Sequence, residues 1–270
     1  MIQGKIFLSC DIEGTCNIVD WAETEPDKAS YPAFAEQMSR EVAAACEGLL
    51  NKGAEAILVR DAHDTARNIR PTMLPDSDRI QMIRGWCRDP YAMMSGLDES
   101  FAGAMFTGYH SAVGWSGNPL SHTMNLQNIS VKINGETASE LMINSLTAAM
   151  FEVPVLMVSG DAELCDWFHS KVPKAVTVPV SRGIGNGSMS IMPGEAVRRI
   201  RAGAEKTMEL NAADCMFPTA ENYVVEVVYR QHQQARSKSW YPGAAQLDER
   251  TVRYESKSWF DVLTFFHFCL

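Results

Sequence analysis

The chain has 270 residues, of which 46% are hydrophobic, and this is enough apolar material for one large domain or for two unequal ones. Its 24 basic and 33 acidic residues give a net charge of −9, which argues against nucleic acid or an anionic membrane surface as a partner, because both require a basic face. No apolar run reaches the roughly 18–20 residues of a transmembrane helix, and no signal peptide is visible, so no membrane partner is expected.

The first two-thirds of the chain alternates apolar runs with segments that carry apolar residues at helical spacing. In chain order the predicted elements are strand "KIFLSCDIEG", helix "YPAFAEQMSREVAAACEGLLNKG", strands "AEAILVRDAHD", "GAMFTGYHS" and "ISVKING", helix "ASELMINSLTAAMFE", strand "VPVLMVSGD", helix "AELCDWFHSKV" and strand "AVTVPVS". Such alternation is typical of βαβ units. It predicts an α/β domain of three layers, in which helices cover both faces of a mostly parallel sheet.

The last third of the chain has a different pattern. After a helix, "PGEAVRRIRAGAEKTMEL", the strands "NYVVEVVYR" and "TVRYESK" alternate apolar and polar residues, as half-exposed antiparallel strands do, and a helix "SWFDVLTFFHFC" follows. We therefore predict a catalytic α/β domain at residues 1–180 and a smaller α+β domain at 181–270, either of which can contain an insertion from the other. The intervening "SRGIGNGSMS" lacks the lysine of a phosphate-binding loop, so it is at most a functional loop.

Metal-capable side chains follow three of the predicted strands. They are Asp11 and Glu13 after the first strand, Asp61, His63 and Asp64 after the second, and His110 after the third. The carboxyl ends of the strands line the ligand crevice of an open α/β sheet, so these side chains are expected to meet at one edge. For Asp64 we favour capping of the following turn, and for Asp61 we favour a role in orienting a histidine ligand.

Two further residues lie where they can reach the same crevice. His122 follows His110 in a short polar loop, which is expected to leave it unburied, and Glu140 begins the next predicted helix. Glu136 competes with Glu140 for one role, and spacing alone does not choose between them. The histidines expected to lie outside the site are His169, His232 and His267.

Carboxylate oxygens and imidazole nitrogens together suit zinc, manganese or iron. Five such ligands are too many for one tetrahedral zinc, but they suit two ions that share a carboxylate, and paired ions activate water and polarise a carbonyl. In this scheme Asp11 bridges the ions and Glu13 holds one of them. On spacing alone, turn capping by the acids and simple hydrogen bonding by the histidines remain open alternatives.

The seven cysteines are scattered and include no CxxC pair. An odd, scattered set is typical of a reduced protein, so a cytoplasmic location is expected. Most of these cysteines are expected to be small buried hydrophobic residues rather than nucleophiles or zinc ligands.

Five ordered motifs resemble the zinc-dependent D-aminopeptidase family, the bacterial dipeptide-operon D-aminopeptidase-like metallopeptidases. They are "SCDIEG", "VRDAHD", "FTGYHS", "NPLSHTM" and "INGETASELMIN", between residue 9 and about residue 144. A looser likeness continues through "VPVLMVSGD" and "VSRG" to about residue 183, and the last third of the chain carries little that matches. The ordered spacing, rather than any single motif, carries the resemblance.

The resemblance implies a role for each position that matches the family pattern. The implied metal ligands are Asp11, Glu13, His63, His110 and Glu140. It implies about two Zn²⁺ ions per chain, although other divalent metals fit the same donors. His122, twelve residues beyond His110, matches the catalytic histidine, either as the nucleophile or as a general acid or base.

The function implied is that of a cytoplasmic dinuclear zinc aminopeptidase or amidohydrolase. Its substrates would be small peptides or amides with a free amino terminus, including those that contain D-amino acids. The family also implies a homo-oligomer, with ring-shaped assemblies among its members. The segments "WSGNPL" and "GSMSIMPG" are expected to shape the substrate pocket.

Two alternative functions remain open at this stage. One is a metal-dependent hydrolase of another amide or of a phosphate ester, against which the net charge of −9 weighs mildly. The other is a non-catalytic, metal-containing peptide-binding protein, against which His122 weighs, because a structural metal site needs no spare imidazole. The sequence does not identify the physiological substrate, the preference for D or L residues, the native metal or the oligomer size.

Overall fold

A computed structural model describes residues 2–270, and its strands form two separate sheets. The strands are β1 (Lys5–Cys10), β2 (Ala56–Asp61), β3 (Ile80–Ile83), β4 (Phe101–Tyr109), β5 (Asn128–Ile133), β6 (Glu136–Thr137), β7 (Val155–Asp161), β8 (Val176–Ile184), β9 (Gly187–Ser190), β10 (Tyr223–Tyr229), β11 (Ala245–Gln246) and β12 (Thr251–Ser256). The α-helices are α1 (Tyr31–Asn51), α2 (Glu140–Met150), α3 (Ala162–Lys171), α4 (Pro193–Thr207), α5 (His232–Lys238) and α6 (Trp259–Cys269). All predicted helices and strands are therefore confirmed, whereas the short β3, β6, β9 and β11 and the helix α5 were not predicted.

The larger sheet has seven strands in the order β3-β2-β1-β4-β7-β8-β9. Its first six strands are parallel, and only the edge strand β9 is antiparallel, which confirms the mostly parallel α/β prediction. After β1 the chain moves to one side of the sheet through β2 and β3, and it then returns to β4 on the other side of β1. The strand order thus reverses between β1 and β4, and the carboxyl ends of these two strands flank the crevice where such sheets bind ligands.

Helices cover both faces of this sheet. The chain crosses from β1 to β2 and from β4 to β7 in opposite directions, so right-handed crossovers place α1 and α2 on opposite faces. Helix α4 packs on α1, where a Cβ on Gly48 would lie 2.5 Å from the backbone oxygen of Arg201, so that only glycine permits this approach. The central strands β1, β4 and β7 are almost wholly buried as a result.

The smaller sheet is antiparallel, with the order β11-β12-β10-β5-β6. Along β10 every second residue is buried, as expected for a sheet with one face covered. Helix α6 contacts β10, β12 and α2, and the Trp259 indole N–H donates to Thr147 Oγ1 at 3.0 Å. The predicted domain division at residue 180 remains a prediction, and strands from both sides of that residue contribute to this sheet.

The segment "SRGIGNGSMS" forms a hairpin rather than the loop that the sequence suggested. Strand β8 pairs with β9 from Ser181 to Ser190, and Gly185 in the turn has a φ of +58°, which glycine adopts without strain. The prediction was wrong because small polar residues can pair at the edge of a sheet, where few side chains must be buried. Within residues 2–270, no helix is long and apolar enough to cross a membrane.

Candidate metal centre

The structure brings all six predicted site residues together where the strand order reverses. They are Asp11 and Glu13 after β1, His63 after β2, His110 after β4, His122 between β4 and β5, and Glu140 at the first position of α2. All six are buried. Side chains that are up to 129 residues apart in sequence therefore form a single cluster, as the strand-end argument predicts.

The Asp11 carboxylate lies at the middle of this cluster. Its Oδ1 is 3.4 Å from His63 Nδ1, and the same nitrogen is 3.1 Å from Glu13 Oε2. The other oxygen, Oδ2, is 3.5 Å from His110 Nε2, and that nitrogen is 3.5 Å from Glu140 Oε1. Each Asp11 oxygen therefore belongs to a different group of potential metal ligands, and the ligand atoms of each group lie within 4.8 Å of one another.

Each of the three imidazoles uses one ring nitrogen to contact a backbone carbonyl. The pairs are His63 Nε2 with Thr24 O at 3.0 Å, His110 Nδ1 with Ser111 O at 3.0 Å, and His122 Nδ1 with Leu120 O at 2.9 Å. A carbonyl only accepts hydrogen bonds, so these nitrogens carry the proton. In the neutral rings the other nitrogens present lone pairs to the carboxylates, an arrangement that requires a proton or a cation between them.

Three polar atoms of the cluster are buried and have no hydrogen-bond partner among residues 2–270. They are Asp11 Oδ2, Glu13 Oε2 and His110 Nε2. Leaving such atoms unsatisfied costs free energy, whereas a divalent cation beside them would satisfy all three. Oxygen and imidazole donors in this arrangement fit two zinc-like cations with Asp11 between them.

His122 occupies a different position from the other two imidazoles. Its ring stacks on His110 with centroids 4.3 Å apart and lies edge-to-face with Trp21 at 5.2 Å. Its Nε2 is 3.5 Å from Glu140 Oε1 and 3.9 Å from Glu13 Oε1. The expectation that its loop leaves it unburied is wrong, because these rings cover it and only 8% of the residue is exposed.

Burial and neighbouring charges shift the protonation of the cluster in opposite directions. Burial, together with the charge of Glu13, raises the pKa of Asp11. Burial also acts to raise the pKa of Glu13, but His63, His122 and His110 together outweigh it and lower that pKa well below its usual range. Unless a cation lies between them, the charges of Glu140, Glu13 and Asp11 outweigh burial and raise the pKa of His110 to about 10, and burial together with the charge of that imidazolium lowers the pKa of His122. The Asp11 carboxylate therefore needs a proton or a metal cation, while a lowered pKa favours the neutral form of His122.

Three glycines allow the strand ends that carry the cluster to touch backbone to backbone. A Cβ on Gly14 or on Gly160 would lie 1.8 or 1.9 Å, respectively, from the backbone oxygen of Tyr109. Gly108 has a φ of +70°, and a Cβ there would lie 2.2 Å from the backbone oxygen of Asp11. The Gly14 N–H donates to Gly108 O at 2.8 Å. The distance between the acidic turn after β1 and the end of β4 is thus set by glycine.

Asp61 supports the cluster through the backbone and not through an imidazole ring. Its carboxylate accepts from the backbone N–H groups of Asn68 and Ile69 at 2.6 and 2.8 Å, and from Asn68 Nδ2 at 2.9 Å. Asn68 Nδ2 also donates to the His63 carbonyl at 2.7 Å. Asp61 therefore fixes the loop at residues 62–69, which in turn places His63.

Glu136 and the remaining histidines lie outside the cluster. Glu136 is on β6, where it accepts from Lys171 Nζ at 2.8 Å and from Trp167 Nε1 at 2.7 Å. Glu140, rather than Glu136, is the carboxylate that enters the cluster. The histidines outside it are His169 on α3, His232 on α5 and His267 on α6.

A cavity of about 350 Å³ opens onto the cluster. Its apolar lining includes Trp21, Trp86, Met93, Met124 and Leu126, and sequence reasoning missed these residues because they lie in loops or in single 3₁₀ turns, which are too short to show periodicity. The expectation that "WSGNPL" and "GSMSIMPG" shape this pocket is wrong, because neither segment lines it.

The segment "WSGNPL" instead lies behind the cluster. Within it, Asn118 Nδ2 donates to the backbone oxygen of Glu13 at 2.9 Å. The segment therefore supports the acidic turn after β1 without reaching the cavity.

Comparison with known proteins places these observations in a family. The family model described as D-aminopeptidase, peptidase family M55, matches residues 4–268. A D-aminopeptidase of Bacillus subtilis (strain 168) is 28% identical over 259 residues, which cover 94% of this chain and 92% of the relative. The fold is similar to that of the solved Zn-dependent D-aminopeptidase DppA from Bacillus subtilis, described as a self-compartmentalizing protease, with a TM-score of 0.88, 24% identity and coverage of 97% of this chain and 95% of that chain. Because the family model spans nearly the whole sequence, this chain belongs to the D-aminopeptidase family.

Proposed function

We propose that this chain is a zinc-dependent D-aminopeptidase that cleaves small peptides or amides at a free amino terminus. The observation that carries this proposal is the buried cluster around Asp11, in which carboxylates and imidazole lone pairs face one another with no lysine or arginine of residues 2–270 between them. Membership of the D-aminopeptidase family, and the zinc dependence stated for the structurally similar DppA, support the same activity.

In this proposal the five ligands divide into two pairs that share Asp11. Glu13 and His63 would hold one Zn²⁺ ion with Asp11 Oδ1, and His110 and Glu140 would hold the other with Asp11 Oδ2. Other divalent metals with similar preferences fit the same donors.

Zinc bound here would supply Lewis acidity for the scissile carbonyl and would lower the pKa of water. The chain itself contributes His122, whose Nδ1–H is held by the Leu120 carbonyl, so that Nε2 is free to act at the cavity. His122 Nε2 then serves either as the nucleophile or as the group that carries the proton between nucleophile and leaving amine.

The cavity also bears on the alternative functions. It is lined by Asp11, Glu13, Glu25, Asp64 and Glu140, and no lysine or arginine of residues 2–270 lines it. A phosphate ester would meet mostly negative charge there, so an amide with a cationic amino group is the better substrate. A peptide-binding protein with a structural metal would have no use for the free ring nitrogen of His122.

We also propose that the protein is a cytoplasmic homo-oligomer, with a ring-shaped assembly as the expected form. The self-compartmentalizing character stated for DppA supports an oligomer. Large apolar side chains on the surface, among them Ile184, Met189 and Met192, are compatible with contacts between copies. All seven cysteines are free, which suits a reducing compartment.

Hydrolysis of paired D- and L-aminoacyl amides by metal-depleted protein, with and without added zinc, tests the proposed activity. We expect turnover only with added metal, and faster turnover of the D-amides. Preferential cleavage of L-amides would contradict the stereochemical part of the proposal. No turnover of any amide with zinc, manganese or cobalt would contradict the activity itself.

A further inference from the structure

Arg60, on β2, is a fully buried arginine with no carboxylate partner. None of its residue surface is exposed, and no acidic group of residues 2–270 lies within ion-pair distance. Its Nη1–H donates to the Gly85 carbonyl at 2.6 Å, whereas Nε and Nη2 have no partner. Burying an unpaired charge is costly, so this side chain calls for an explanation beyond packing.

The guanidinium group of Arg60 is held against the Trp86 ring, with its carbon 4.8 Å from the ring centroid. The Trp86 indole N–H donates to the Asp64 carbonyl at 2.6 Å, and the Gly85 N–H donates to the Ala66 carbonyl at 2.7 Å. Together with the bond from Arg60 to Gly85, these contacts fasten residues 85–86 onto the loop that carries His63. Trp86 is thereby fixed beside the candidate metal centre.

Trp86 also forms part of the cavity wall, next to apolar residues such as Met93 and Trp21. The polar cluster lines the same cavity. A volume of about 350 Å³ fits a ligand the size of an amino acid amide or a dipeptide. A substrate whose reacting carbonyl is at the cluster would therefore place its side chain among apolar groups.

We propose that Trp86, positioned by Arg60, selects substrates whose amino-terminal residue has a large apolar or aromatic side chain. This inference rests on the proposed function, because it assigns the acyl side of the substrate to the wall beside His63. Trp86 contacts the substrate side chain directly. Arg60 is a positioning residue, which acts only through Trp86.

The test uses the zinc-loaded protein with D-phenylalanine amide and D-alanine amide, whose leaving group is ammonia in both cases. Only the acyl side chain differs between these substrates. The variants are Trp86→Ala, Arg60→Met and the double variant. Trp240→Ala is the matched control, because Trp240 also lies 4.8 Å from an arginine carbon, that of Arg236, but does not line the cavity.

We expect wild type to have the higher kcat/KM for D-phenylalanine amide, and Trp86→Ala to lower the ratio of the two kcat/KM values by about 10–100-fold. Arg60→Met should lower the same ratio by a smaller factor, mainly through KM of the larger amide. The double variant should match Trp86→Ala, because Arg60 acts through Trp86. An unchanged ratio in Trp86→Ala, or a ratio change in the double variant that equals the product of the single ones, would overturn the proposal.

Calorimetric binding of free D-phenylalanine and D-alanine provides a measurement that does not depend on turnover. Tighter binding of D-phenylalanine that is lost in Trp86→Ala would support this inference even if the protein hydrolysed no amide, in which case only the proposed activity would fail. Equal binding of the two amino acids by wild type and Trp86→Ala would overturn the inference even if both amides were hydrolysed.

Discussion

The two halves of the candidate metal centre are built in different ways. In the His110 half, His110 directly follows β4, and Glu140 is the first residue of α2, a helix capped by Ser139. In the His63 half, Glu13 and His63 lie on loops, and the His63 loop depends on the Asp61–Asn68 hydrogen bonds. Asp11 belongs to both halves.

This difference indicates that the two proposed metal positions are unequally prepared for binding. Regular secondary structure sets the His110 half, and the Met124 N–H, which donates to Glu140 Oε1 at 2.7 Å, holds that carboxylate further. The His63 half depends instead on a loop that hydrogen bonds from Asn68 to Asp61 and to the His63 carbonyl hold in place, so any loosening of residues 62–69 lowers metal affinity there. We therefore expect the His110 half to fill first in a zinc titration.

The largest expected effect comes from removal of the carboxylate that the two halves share. Asp11→Ala should lose both ions and all hydrolysis, because the bridging carboxylate balances charge on both cations. Glu13→Ala and Glu140→Ala should each weaken mainly one ion. Elemental analysis after gel filtration measures the metal content, with wild type expected to hold about two ions per chain. Equal metal content in Asp11→Ala and wild type would refute the bridging role.

His122 lies between the halves, and its removal should separate chemistry from metal binding. We expect His122→Ala to keep both ions and the fold, but to lose about 10²–10⁴-fold in kcat, the usual contribution of a positioned acid or base. The measurements are turnover of a D-aminoacyl amide, metal content and thermal melting. His169→Ala, on the exposed face of α3, is the control. If His122→Ala also loses metal, His122 is a ligand, as its position beside Glu13 and His110 would permit.

Loosening the loop at residues 62–69 should weaken metal binding in the His63 half and leave the His110 half unchanged. Asn68→Ala removes donors to Asp61 and to the His63 carbonyl, so we expect about 10–100-fold weaker binding of one ion, as for other groups that orient metal ligands. The matched control is Asn128→Ala, since Asn128 is buried and donates to Thr123 O in the other half at 2.9 Å. Zinc titration monitored by calorimetry should show one weakened phase in the first variant. Two equally weakened phases would contradict the independence of the halves.

Strand-end reasoning could predict the candidate site, but not the walls of its cavity. Asp11, Glu13 and His110 follow strongly apolar runs, so the periodicity of the sequence places them at one edge of a parallel sheet. Trp86 lies in a loop and Trp21 in a single 3₁₀ turn, and only the tertiary contacts of these short segments bring them to the cluster.

The same limit applies to the fold. The alternation of "ISVKING" shows a strand, but its partner β10 begins about 90 residues later, and local pattern does not encode that distant pairing. The short strands β3 and β9 have too few residues to show a period of two. His122 also shows how a polar loop can be buried, when aromatic rings from other segments cover it.

The smallest expected effect concerns a buried carboxyl group that holds the chain shortly after the acidic turn. Glu41 is buried on α1 and accepts from the Cys16 N–H at 3.1 Å and from Gln37 Nε2 at 3.0 Å, and burial raises its pKa to about 7. A raised folded-state pKa means that folding favours the protonated form. The protonated Glu41 carboxyl therefore stabilises the folded protein fully below its unfolded-state pKa of about 4.3, and this stabilisation is lost as the pH rises through the folded-state pKa of about 7.

Between pH 6 and 8, wild type should lose about 1 kcal/mol of stability relative to Glu41→Gln, which is neutral throughout this range. This corresponds to roughly 2–4 °C in the difference between the two melting temperatures. Glu55→Gln, at an exposed position after α1, is the control. A difference between wild type and Glu41→Gln that does not change with pH would show that Glu41 is ionised in the folded protein across this range.

The glycines at the strand ends have a consequence for saturation mutagenesis. Gly14, Gly108 and Gly160 have no side chain to bind metal, yet a larger residue at Gly14 or Gly108 would force apart the segments that hold Asp11 and His110, and one at Gly160 would push β7 away from Tyr109. Saturation mutagenesis should therefore find as few tolerated substitutions at these glycines as at the proposed metal ligands. Excess zinc would distinguish the two classes: it can offset a weakened ligand by mass action, but it cannot restore the backbone contact that a new Cβ has displaced.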